Sequence, residues 1–501
     1  MNITQIRATG LAFVMLCGTA GAMTIPDFSL PQQTFFKQTK ASQGGRKVFA
    51  WYMVCCGAFG GNTVPHDDLV AEYKAEIKMA RSMGIDGFGL DMMQSNDEYE
   101  KDAAAMYEAA RSVSPDFKLF FEFDNGDAAK HKVDYAELIR TYANHPNQMK
   151  VDGRPLVCAY AADYAADSAD ASVKWWVDTV IQPLAKDGIK IHFVPTTFGR
   201  FGLPKYSWIS REATDLEIAG WGDVEQGESV WMIQLSPIGG GIATLENYAS
   251  ALHAKKQTWM STVSTHYWVA SANSIPGWCW SPGQASPPAC PNGTYFEHAG
   301  GMGLAAQWAS VIDVQHPDWV IMLTWNDYNE SYMEPVDDYR KYPNGTAQAP
   351  LGWYKPQAGM DELNRYYIQW YKTGKEPRIT RDGLFYAYRT TPTDAKASLD
   401  TRAPVRAGNG PIEDVIYVTT ALTAPAELRV ISGGVESRTP VAAGIAHTKT
   451  PFHVGAQSFS IWRGGIRIVT TDGEPIVDQI KLYDYWPTTG YAESPASTGG
   501  Q

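Results

Sequence analysis

The chain has 501 residues, of which 44% are hydrophobic and 19% charged, so it is long enough for two or three globular domains and is not intrinsically disordered. The formal net charge is -12 at pH 7, which argues against nucleic acid or an anionic membrane as partner. Aromatic residues make up 12% of the chain, an excess that favours carbohydrate binding, although a large barrel core with a β domain would also explain it.

The first 22 residues have the three features of a secretory signal peptide. Arg7 supplies positive charge, residues 11–17 form a short apolar core, and residues 20–22 have the A-x-A pattern of a cleavage site. We therefore expect a secreted protein, extracellular or periplasmic, whose mature chain begins near Met23. No other stretch reaches about 18 consecutive apolar residues, so no membrane span is predicted.

The cysteine pattern is compatible with an exported protein, in which disulfides can form. Cys17 would leave with the signal peptide, so five of the six cysteines would remain and at least one has no partner within the chain. Cys279 and Cys290 bracket a Pro/Gly/Ser-rich segment, and we expect them to form a disulfide. The cysteines left unassigned are Cys55, Cys56 and Cys158. Their spacing is unlike that of a structural zinc site, so no metal is predicted.

After a polar segment that extends to about residue 44, short apolar strand-like segments alternate with amphipathic helical ones. The predicted strands are 47–54, 86–92, 117–124, 155–160, 190–195, 229–235, 259–264 and 319–323. The predicted helices are 67–83, with Asp67 or Asp68 as cap, 97–110, 135–143, 171–186, with a kink at Pro183, 245–255 and 303–314. This alternation predicts a (β/α)8 TIM barrel. The alternative, a doubly wound parallel sheet, is expected to have a glycine-rich phosphate-binding loop after a strand, and no such loop follows any predicted strand.

The pattern changes after Gly374, where short strand-like segments are separated by Gly, Pro, Asn and Asp. These segments predict an antiparallel β-sandwich from about residue 376 to 488. We therefore divide the chain into a signal peptide (1–22), a catalytic barrel (23–375) and an accessory β-sandwich domain with a loose C-terminal tail (376–501). No row of aromatic residues suited to a polysaccharide is evident in the sandwich, so a structural role packed on the barrel is expected.

The most informative segment is W-N-D-Y-N-E-S-Y-M-E-P at residues 325–335, which follows the eighth predicted strand. It places two carboxylates, Asp327 and Glu330, three residues apart in a stretch too irregular for a helix. The aromatic residues around them are Trp325, Tyr328 and Tyr332. In glycoside hydrolysis one carboxyl protonates the leaving oxygen while the other activates water or attacks, and aromatic faces hold the sugar. The alternative is an Asp that caps a helix beside a solvated Glu.

Further polar residues follow other predicted strands, where barrel enzymes carry their chemistry. The residues predicted to contact a sugar are Trp51, Tyr52, Asp91, Asp124, Gln234, His266, Tyr267, Trp325, Asn326 and Tyr328. For each aromatic residue core packing is an equal alternative, and each aspartate at a strand end is an equal candidate for a helix cap. His266 has no second ligand at metal spacing, which disfavours a metal site. Asp223, Glu225 and Glu228 precede the sixth strand and are expected to form a solvated face.

Four segments, at residues 48–54, 84–90, 117–124 and 325–331, resemble glycoside hydrolase family 71, the endo-α-1,3-glucanases or mutanases. The similarity runs in order from residue 47 to about 335, and the W-N-D-Y-x-E-S stretch is its most specific part. The β-rich C-terminal part is similar, more weakly, to the accessory domain of that family. Asn329 stands where the family usually has Gly, and Trp51 where it usually has His.

The resemblance implies hydrolysis of internal α-1,3-glucosidic bonds with inversion, a polysaccharide substrate and no cofactor. It also implies that Asp327 and Glu330 are the catalytic carboxylates. We assign Glu330 as general acid and Asp327 as the base that activates water, and the opposite assignment stays open. Inversion requires about 6.5–9.5 Å between the two carboxyl groups, which leaves room for the water. A monomer is expected.

Two alternatives from different classes stay open. The first is an endo-α-mannosidase-like activity, or the hydrolysis of another α-glucan. That related barrel family carries two carboxylates at similar spacing but uses Glu at both positions, whereas this chain has Asp327. The second alternative is a catalytically silent glycan-binding protein, against which the intact pair of Asp327 and Glu330 counts.

Overall fold

Parallel strands close into an eight-stranded barrel in the computed structural model of the chain. Up to Tyr332 the strands are β1 (Lys47–Met53), β2 (Gly87–Met92), β3 (Lys118–Asp124), β4 (Lys150–Val151), β5 (Arg154–Tyr160), β6 (His192–Thr197), β7 (Gly227–Val230), β8 (Thr258–Ser264), β9 (Tyr267–Val269), β10 (Thr294–Phe296), β11 (Trp319–Leu323), β12 (Asn326–Asp327) and β13 (Ser331–Tyr332). The barrel strands are joined in the order β3-β2-β1-β11-β8-β7-β6-β5, and pairing of β3 with β5 closes the ring. The predicted TIM barrel is confirmed.

The structure describes residues 45–54, 68–93, 97–125, 134–198, 201, 210–231, 237, 240–269, 293–327, 330–334, 355–398, 405–407, 412–481 and 483–495. Several predictions concern residues outside these ranges: the signal peptide, the Cys279–Cys290 disulfide, the two cysteines at 55 and 56, and sugar contacts of Gln234 and Tyr328. The domain boundaries stay predictions. Within the described ranges Cys158 is a free, buried cysteine.

The barrel strands are buried on both faces, which explains why their sequences are continuous apolar runs. In β1, Phe49 and Trp51 contribute to the cluster inside the barrel, whereas Val48 and Tyr52 pack in the layer between the barrel and its helices. The same alternation places Phe120 inside and Phe121 outside in β3. Because successive side chains point to opposite faces, one residue of offset decides whether a side chain can reach the mouth of the barrel.

The helices of the chain surround the barrel. They are α1 (Leu69–Ser82), α2 (Asp97–Val113), α3 (Tyr135–Tyr142), α4 (Ala169–Trp176), α5 (Gln182–Lys186), α6 (Arg211–Trp221), α7 (Gly241–Lys255), α8 (Gly300–Ser310) and α9 (Ala358–Thr373). Asp68 caps α1 as expected, with its carboxylate 3.0 Å from the backbone nitrogen of Ala71. A π-helical turn, Val177–Ile181, lies between α4 and α5, just before Pro183. Within the described ranges, none of the helices has the length and apolar composition that crossing a membrane requires.

Eleven described strands follow α9, of which eight form an antiparallel β-sandwich, as predicted, and three pair outside it. They are β14 (Gly383–Arg389), β15 (Lys396–Ala397), β16 (Val405–Ala407), β17 (Val415–Leu422), β18 (Ala426–Ser432), β19 (Val435–Val441), β20 (Gly444–Pro451), β21 (Gly455–Arg463), β22 (Ile466–Ile476), β23 (Gln479–Ile480) and β24 (Pro487–Glu493). One four-stranded sheet has the order β20-β17-β14-β24 and the other β19-β18-β21-β22. Apolar side chains from both sheets, such as Leu384 and Phe459, meet in one buried cluster between them.

The sandwich packs directly on the last two helices of the barrel region. A Cβ atom at Gly301 in α8 would lie 2.3 Å from the hydroxyl oxygen of Thr419 in β17, so only glycine permits this approach. A Cβ at Gly359 in α9 would lie 2.6 Å from the carbonyl oxygen of Gly490 in β24. The sheet that contains β17 and β24 therefore contacts the helix layer.

A group of buried carboxyls lies outside the barrel, between β7 and the helices α6 and α7. Glu225 and Glu228 are buried, and Glu217 from α6 joins them. Burial raises the pKa of all three carboxyls well above the usual range, and their mutual repulsion adds to the rise for Glu217 and Glu228. The prediction of a solvated face is therefore wrong for Glu225 and Glu228, although Asp223 is exposed.

We expect Glu228→Gln to weaken the dependence of stability on pH. A carboxyl whose pKa is raised in the folded state stabilises the fold when protonated, and this contribution is lost as the pH rises from the usual carboxyl range through the raised pKa. The melting temperature of the wild type should thus fall more steeply than that of the variant between about pH 5 and pH 8. The exposed Glu212→Gln in α6 is the matched control. Equal slopes for wild type and Glu228→Gln would contradict a buried, protonated Glu228.

Candidate active site

The segment after β11 folds into a short hairpin that carries both predicted carboxylates. Strand β12 pairs with β13 in antiparallel register, with Asp327 opposite Ser331. The hydroxyl of Thr324 accepts a hydrogen bond from the Asp327 backbone N–H at 2.7 Å and donates to the Ser331 carbonyl at 2.5 Å. The Glu330 N–H donates to the Asp327 carbonyl at 3.1 Å and closes the turn. Asp327 thus belongs to a hairpin, and the alternative of a helix cap is wrong.

Three hydrogen bonds hold this hairpin on the end of β1. The Trp325 N–H donates to the Trp51 carbonyl at 2.7 Å. The buried side-chain amide of Asn326 accepts from the Met53 N–H at 2.7 Å and donates to the Met53 carbonyl at 3.1 Å. The Asn326 side-chain amide thus pairs with the Met53 backbone as a neighbouring strand would. This pairing fixes the position of the adjacent Asp327 relative to β1.

Glu330 lies half-buried on the hairpin, and its environment favours the protonated carboxyl. Burial raises its pKa well above the usual range, and the nearby charges of Asp327 and Asp124 raise it further. The Tyr267 hydroxyl donates to Oε1 of Glu330 at 3.2 Å, which opposes part of that rise. The structure therefore places a carboxyl with a raised pKa beside a second carboxyl, the arrangement that acid and base roles require.

Two further carboxylates reach the same place from neighbouring strands. Asp91 lies at the end of β2 and Asp124 at the end of β3, beside Tyr160 of β5 in the strand register. Burial raises the pKa of the Tyr160 phenol well above its usual value, and four carboxylates then add to the rise. In order of effect these carboxylates are Glu330, Asp124, Asp91 and Asp327. The phenol of Tyr160 therefore lies near four acidic side chains at the C-terminal ends of the barrel strands, and we call this site the pocket.

An aromatic wall lines one side of this pocket. The indole of Trp51 donates to Oδ2 of Asp91 at 2.7 Å, which fixes both side chains. The Trp51 ring lies 4.7 Å from that of Trp231 and 5.9 Å from that of Tyr160, measured between centroids and in edge-to-face geometry. Trp51 and Trp231 are themselves buried, so they hold Asp91 and Tyr160 in place, and the half-buried Tyr160 is the ring of this group that can face a sugar.

Comparison with known proteins agrees with this geometry. The sequence profile of glycosyl hydrolase family 71 matches residues 44–270 and 292–500. The chain belongs to this family. It is 29% identical over 456 residues to a glucan endo-1,3-alpha-glucosidase of Schizosaccharomyces pombe, covering 87% of this chain and 94% of the relative. It is 27% identical over 437 residues to a mutanase of Penicillium rubens, covering 85% and 84%. The resemblance seen in the sequence is confirmed.

Among solved structures, the chain is similar to an endo-alpha-mannosidase of family GH99 from Bacteroides thetaiotaomicron. The TM-score is 0.42 and the sequence identity 12%, over 65% of this chain and 97% of that one. A beta-glucuronidase of Bacteroides uniformis has a TM-score of 0.41 with 9% identity, over 90% of this chain and 45% of the other.

The family 71 hairpin and barrel bring together six of the predicted site residues: Asp327, Glu330, Asp91, Asp124, Trp51 and Tyr267. The sequence reasoning missed Tyr160 and Trp231. Tyr160 is the last residue of a predicted strand and shares a face with Cys158 and Leu156, so the period-two pattern of that strand could have indicated it. Trp231 lies inside the predicted strand 229–235 and directly follows the observed strand β7, so its direction depends on a register that the sequence does not show.

Four residues that were predicted to contact a sugar instead pack against or bind other parts of the protein. Their positions do not support a role in sugar binding. The Tyr52 hydroxyl donates to Glu76 of α1 at 2.6 Å, outside the barrel. Trp325 is fully buried in the outer layer, with its ring 5.2 Å from that of Phe88. Both polar groups of the Asn326 side chain bind the β1 backbone. His266 accepts a hydrogen bond from the Tyr332 N–H at 3.4 Å, packs between aromatic rings, and has a pKa lowered by burial.

The floor of the family 71 pocket contains one more carboxyl. Glu122 in β3 is fully buried inside the barrel, directly below Asp124, and faces Cys158 of β5. Burial raises the pKa of both groups. Burial of Glu122 therefore favours its protonated, neutral form. In the part of the chain that the structure describes, no three His, Cys, Asp or Glu side chains are grouped so that they could hold a metal ion.

Proposed function

We propose that this family 71 protein hydrolyses α-1,3-glucosidic bonds of α-1,3-glucan. The observation that carries the proposal is the pairing on one hairpin of Glu330, whose pKa is raised by burial, with Asp327, whose charge contributes to that rise. The names of the two relatives, an endo-1,3-alpha-glucosidase and a mutanase, support the choice of linkage. We also propose that the protein is secreted, since a polymeric glucan outside the cell requires an exported enzyme and residues 1–22 have signal-peptide features.

In the proposed reaction Glu330 is the general acid. Its proton moves to the glycosidic oxygen as the bond between that oxygen and the anomeric carbon breaks. Asp327 accepts a proton from a water molecule whose oxygen attacks the anomeric carbon from the opposite face. The products are two shorter glucans, one with a new reducing end of inverted configuration. Solvent then returns a proton to Glu330 and removes one from Asp327.

Asp91 and Asp124 supply negative charge near the anomeric carbon in this proposal. The transition state of glycoside hydrolysis is like an oxocarbenium ion, so a positive charge develops on the sugar ring. Fixed carboxylates stabilise such a charge best when they need not reorient, and the Trp51 indole holds Asp91 in place at 2.7 Å. The same oxygens are acceptors for sugar hydroxyl groups.

The configuration and size of the first products test the proposed reaction. We expect proton NMR of early α-1,3-glucan digests to show the β-anomer at new reducing ends, because one displacement at an α-linkage inverts the centre. Chromatography should show oligosaccharides of several lengths if internal bonds are cleaved. An initial α-anomer would reject inversion, and glucose as the sole early product would reject endo action.

We expect Tyr267→Phe to shift the alkaline limb of the pH–rate profile to higher pH. The Tyr267 hydroxyl lowers the pKa of Glu330, so its removal raises that pKa and keeps the proposed acid protonated at higher pH. A hydrogen bond to an ionised carboxylate corresponds to a shift of about one pH unit. The profile of kcat/KM against pH on soluble α-1,3-linked oligosaccharides measures it. A shift of this limb to lower pH would contradict the assignment of Glu330 as the acid.

A further inference from the structure

One aromatic side chain stands out by its exposure. Tyr164 has 39% of its surface exposed, and in the described part of the chain every other Trp, Tyr and Phe is buried or half-buried. An exposed aromatic ring beside a carbohydrate site is available to stack on the apolar face of a sugar. Tyr164 follows the end of β5, only four residues after the Tyr160 that marks the pocket.

Tyr164 is the outer end of a continuous series of rings that begins in the pocket. The Tyr160 ring lies 5.0 Å from that of Phe198, and the Phe198 ring lies 6.4 Å from that of Tyr164. At the inner end, Tyr160 contacts Trp51 and Trp231. Exposure increases along the series, from 1% for Trp51 through half-buried Tyr160 and Phe198 to the exposed Tyr164. The series therefore runs from the barrel interior to the surface at the ends of β5 and β6.

The turn that carries Tyr164 is held rigidly. It forms one 3₁₀ turn, Ala162–Tyr164, preceded by Ala161 in the left-handed region with φ of 50°. The indole of Trp176 donates to the Ala162 carbonyl at 3.2 Å, and the Ser172 hydroxyl donates to the Asp163 carbonyl at 2.9 Å. A non-glycine residue kept in this conformation indicates a geometry that the surroundings enforce.

The buried Asp163 side chain fixes the rings of Phe198 and Tyr164 relative to each other. Both oxygens of Asp163, which is fully buried, lie 3.2 Å from the Phe198 backbone nitrogen and accept its N–H. This contact joins the turn after β5 to the segment after β6. Two rings held in place before a ligand arrives lose little entropy on binding, which is the property expected of a sugar platform.

We propose that Tyr160, Phe198 and Tyr164 form a track of binding platforms for an α-glucan chain, with Tyr164 stacking on a glucose unit several units away from the cleaved bond. The inference rests on the proposed function for the identity of the sugar. It assigns the polymer a direction, out of the barrel over the ends of β5 and β6. A platform distant from the carboxylates also explains how an internal bond of a long chain is held for cleavage.

Binding in an inactive background tests the track independently of cleavage. Linear α-1,3-linked glucose oligosaccharides of increasing length are titrated calorimetrically into Glu330→Gln and into the double variant Glu330→Gln/Tyr164→Ala. We expect the affinity of the single variant to rise with length until the chain reaches Tyr164. The double variant should lose that gain, about tenfold for the longest oligosaccharide, since one stacking contact is worth about that factor. Tyr164→Trp should retain it.

The exposed Val314→Ala, in the π-helical turn after α8, is the control for the loss of an exposed apolar side chain. The track is rejected if Tyr164→Ala lowers the affinity equally at all lengths, or not at all, or if lengthening the oligosaccharide brings no gain. Chain-length-dependent binding without any cleavage by the wild type would reject the proposed reaction and retain the track. Cleavage by the wild type, with an affinity that Tyr164→Ala does not change, would reject the track and retain the proposed reaction.

Discussion

Glu330→Gln should lower the turnover of α-1,3-glucan by about 10²- to 10⁴-fold, the usual contribution of a general acid. The substituted amide keeps the size of the side chain and can still accept the hydrogen bond from Tyr267, so the melting temperature should stay near that of the wild type. The exposed Glu212→Gln controls for the loss of one carboxyl from the protein. A folded Glu330→Gln that retains a rate within a factor of about ten would remove Glu330 from the proposed mechanism.

The matching variant Asp327→Asn should lose activity to a similar extent, and a second substrate separates the two roles. An α-1,3-linked oligosaccharyl fluoride has a leaving group that needs no proton. Glu330→Gln should therefore hydrolyse the fluoride much faster than the glucan, whereas Asp327→Asn, which lacks the proposed base, should remain slow on both. The opposite pattern would exchange the acid and base assignments and leave the pair intact.

Asn326→Ala should lower both stability and turnover, through the position of Asp327 rather than through contact with the substrate. The substitution leaves the part-buried N–H and carbonyl of Met53 without their side-chain partners. A backbone group that loses its partner costs about 1–3 kcal/mol when buried and less when water reaches it, so we expect a loss of about 1–3 kcal/mol in the free energy of unfolding. Because two of the three hydrogen bonds that hold the hairpin on β1 would be lost, kcat should also fall by about tenfold or more.

Chemical denaturation and turnover of the folded variant measure these two effects. Asn326→Asp keeps an acceptor for the Met53 N–H but loses the donor to the Met53 carbonyl, so its stability should lie between those of the wild type and Asn326→Ala. The exposed Asn144→Ala controls for the loss of an asparagine. If Asn326→Ala were destabilised with unchanged kcat, the side chain would support the fold without positioning Asp327.

Much of the fold was predictable because the barrel repeats a strong local signal. The eight predicted strands all occur in the structure, since a parallel sheet covered on both faces requires continuous apolar runs. Helix α6 was missed, although Ser210 caps it and its buried residues Thr214, Ile218 and Trp221 follow a helical spacing. The segment lies among long connections, where the rhythm of strands and helices is hardest to follow.

The pair on the hairpin was predictable from the residues themselves, whereas the direction of single side chains was not. Trp51 points into the pocket and its neighbour Tyr52 points out, and only the register of the closed barrel decides which. Glu225 and Glu228 were expected in solvent because they precede the sixth predicted strand, nearer the barrel end opposite the predicted site. Protonation permits their burial, and it depends on neighbours that come from distant parts of the sequence.

The most direct test is the release of reducing ends from insoluble α-1,3-glucan by the wild-type protein, beside α-1,4-glucan, α-1,6-glucan and α-mannan at equal concentration. The account predicts release from the α-1,3-linked polymer and little from the others. Release from α-mannan or from another α-glucan in preference to α-1,3-glucan would contradict the proposed substrate. No release from any of the four polymers, with α-glucan still bound, would favour a glycan-binding protein over an enzyme.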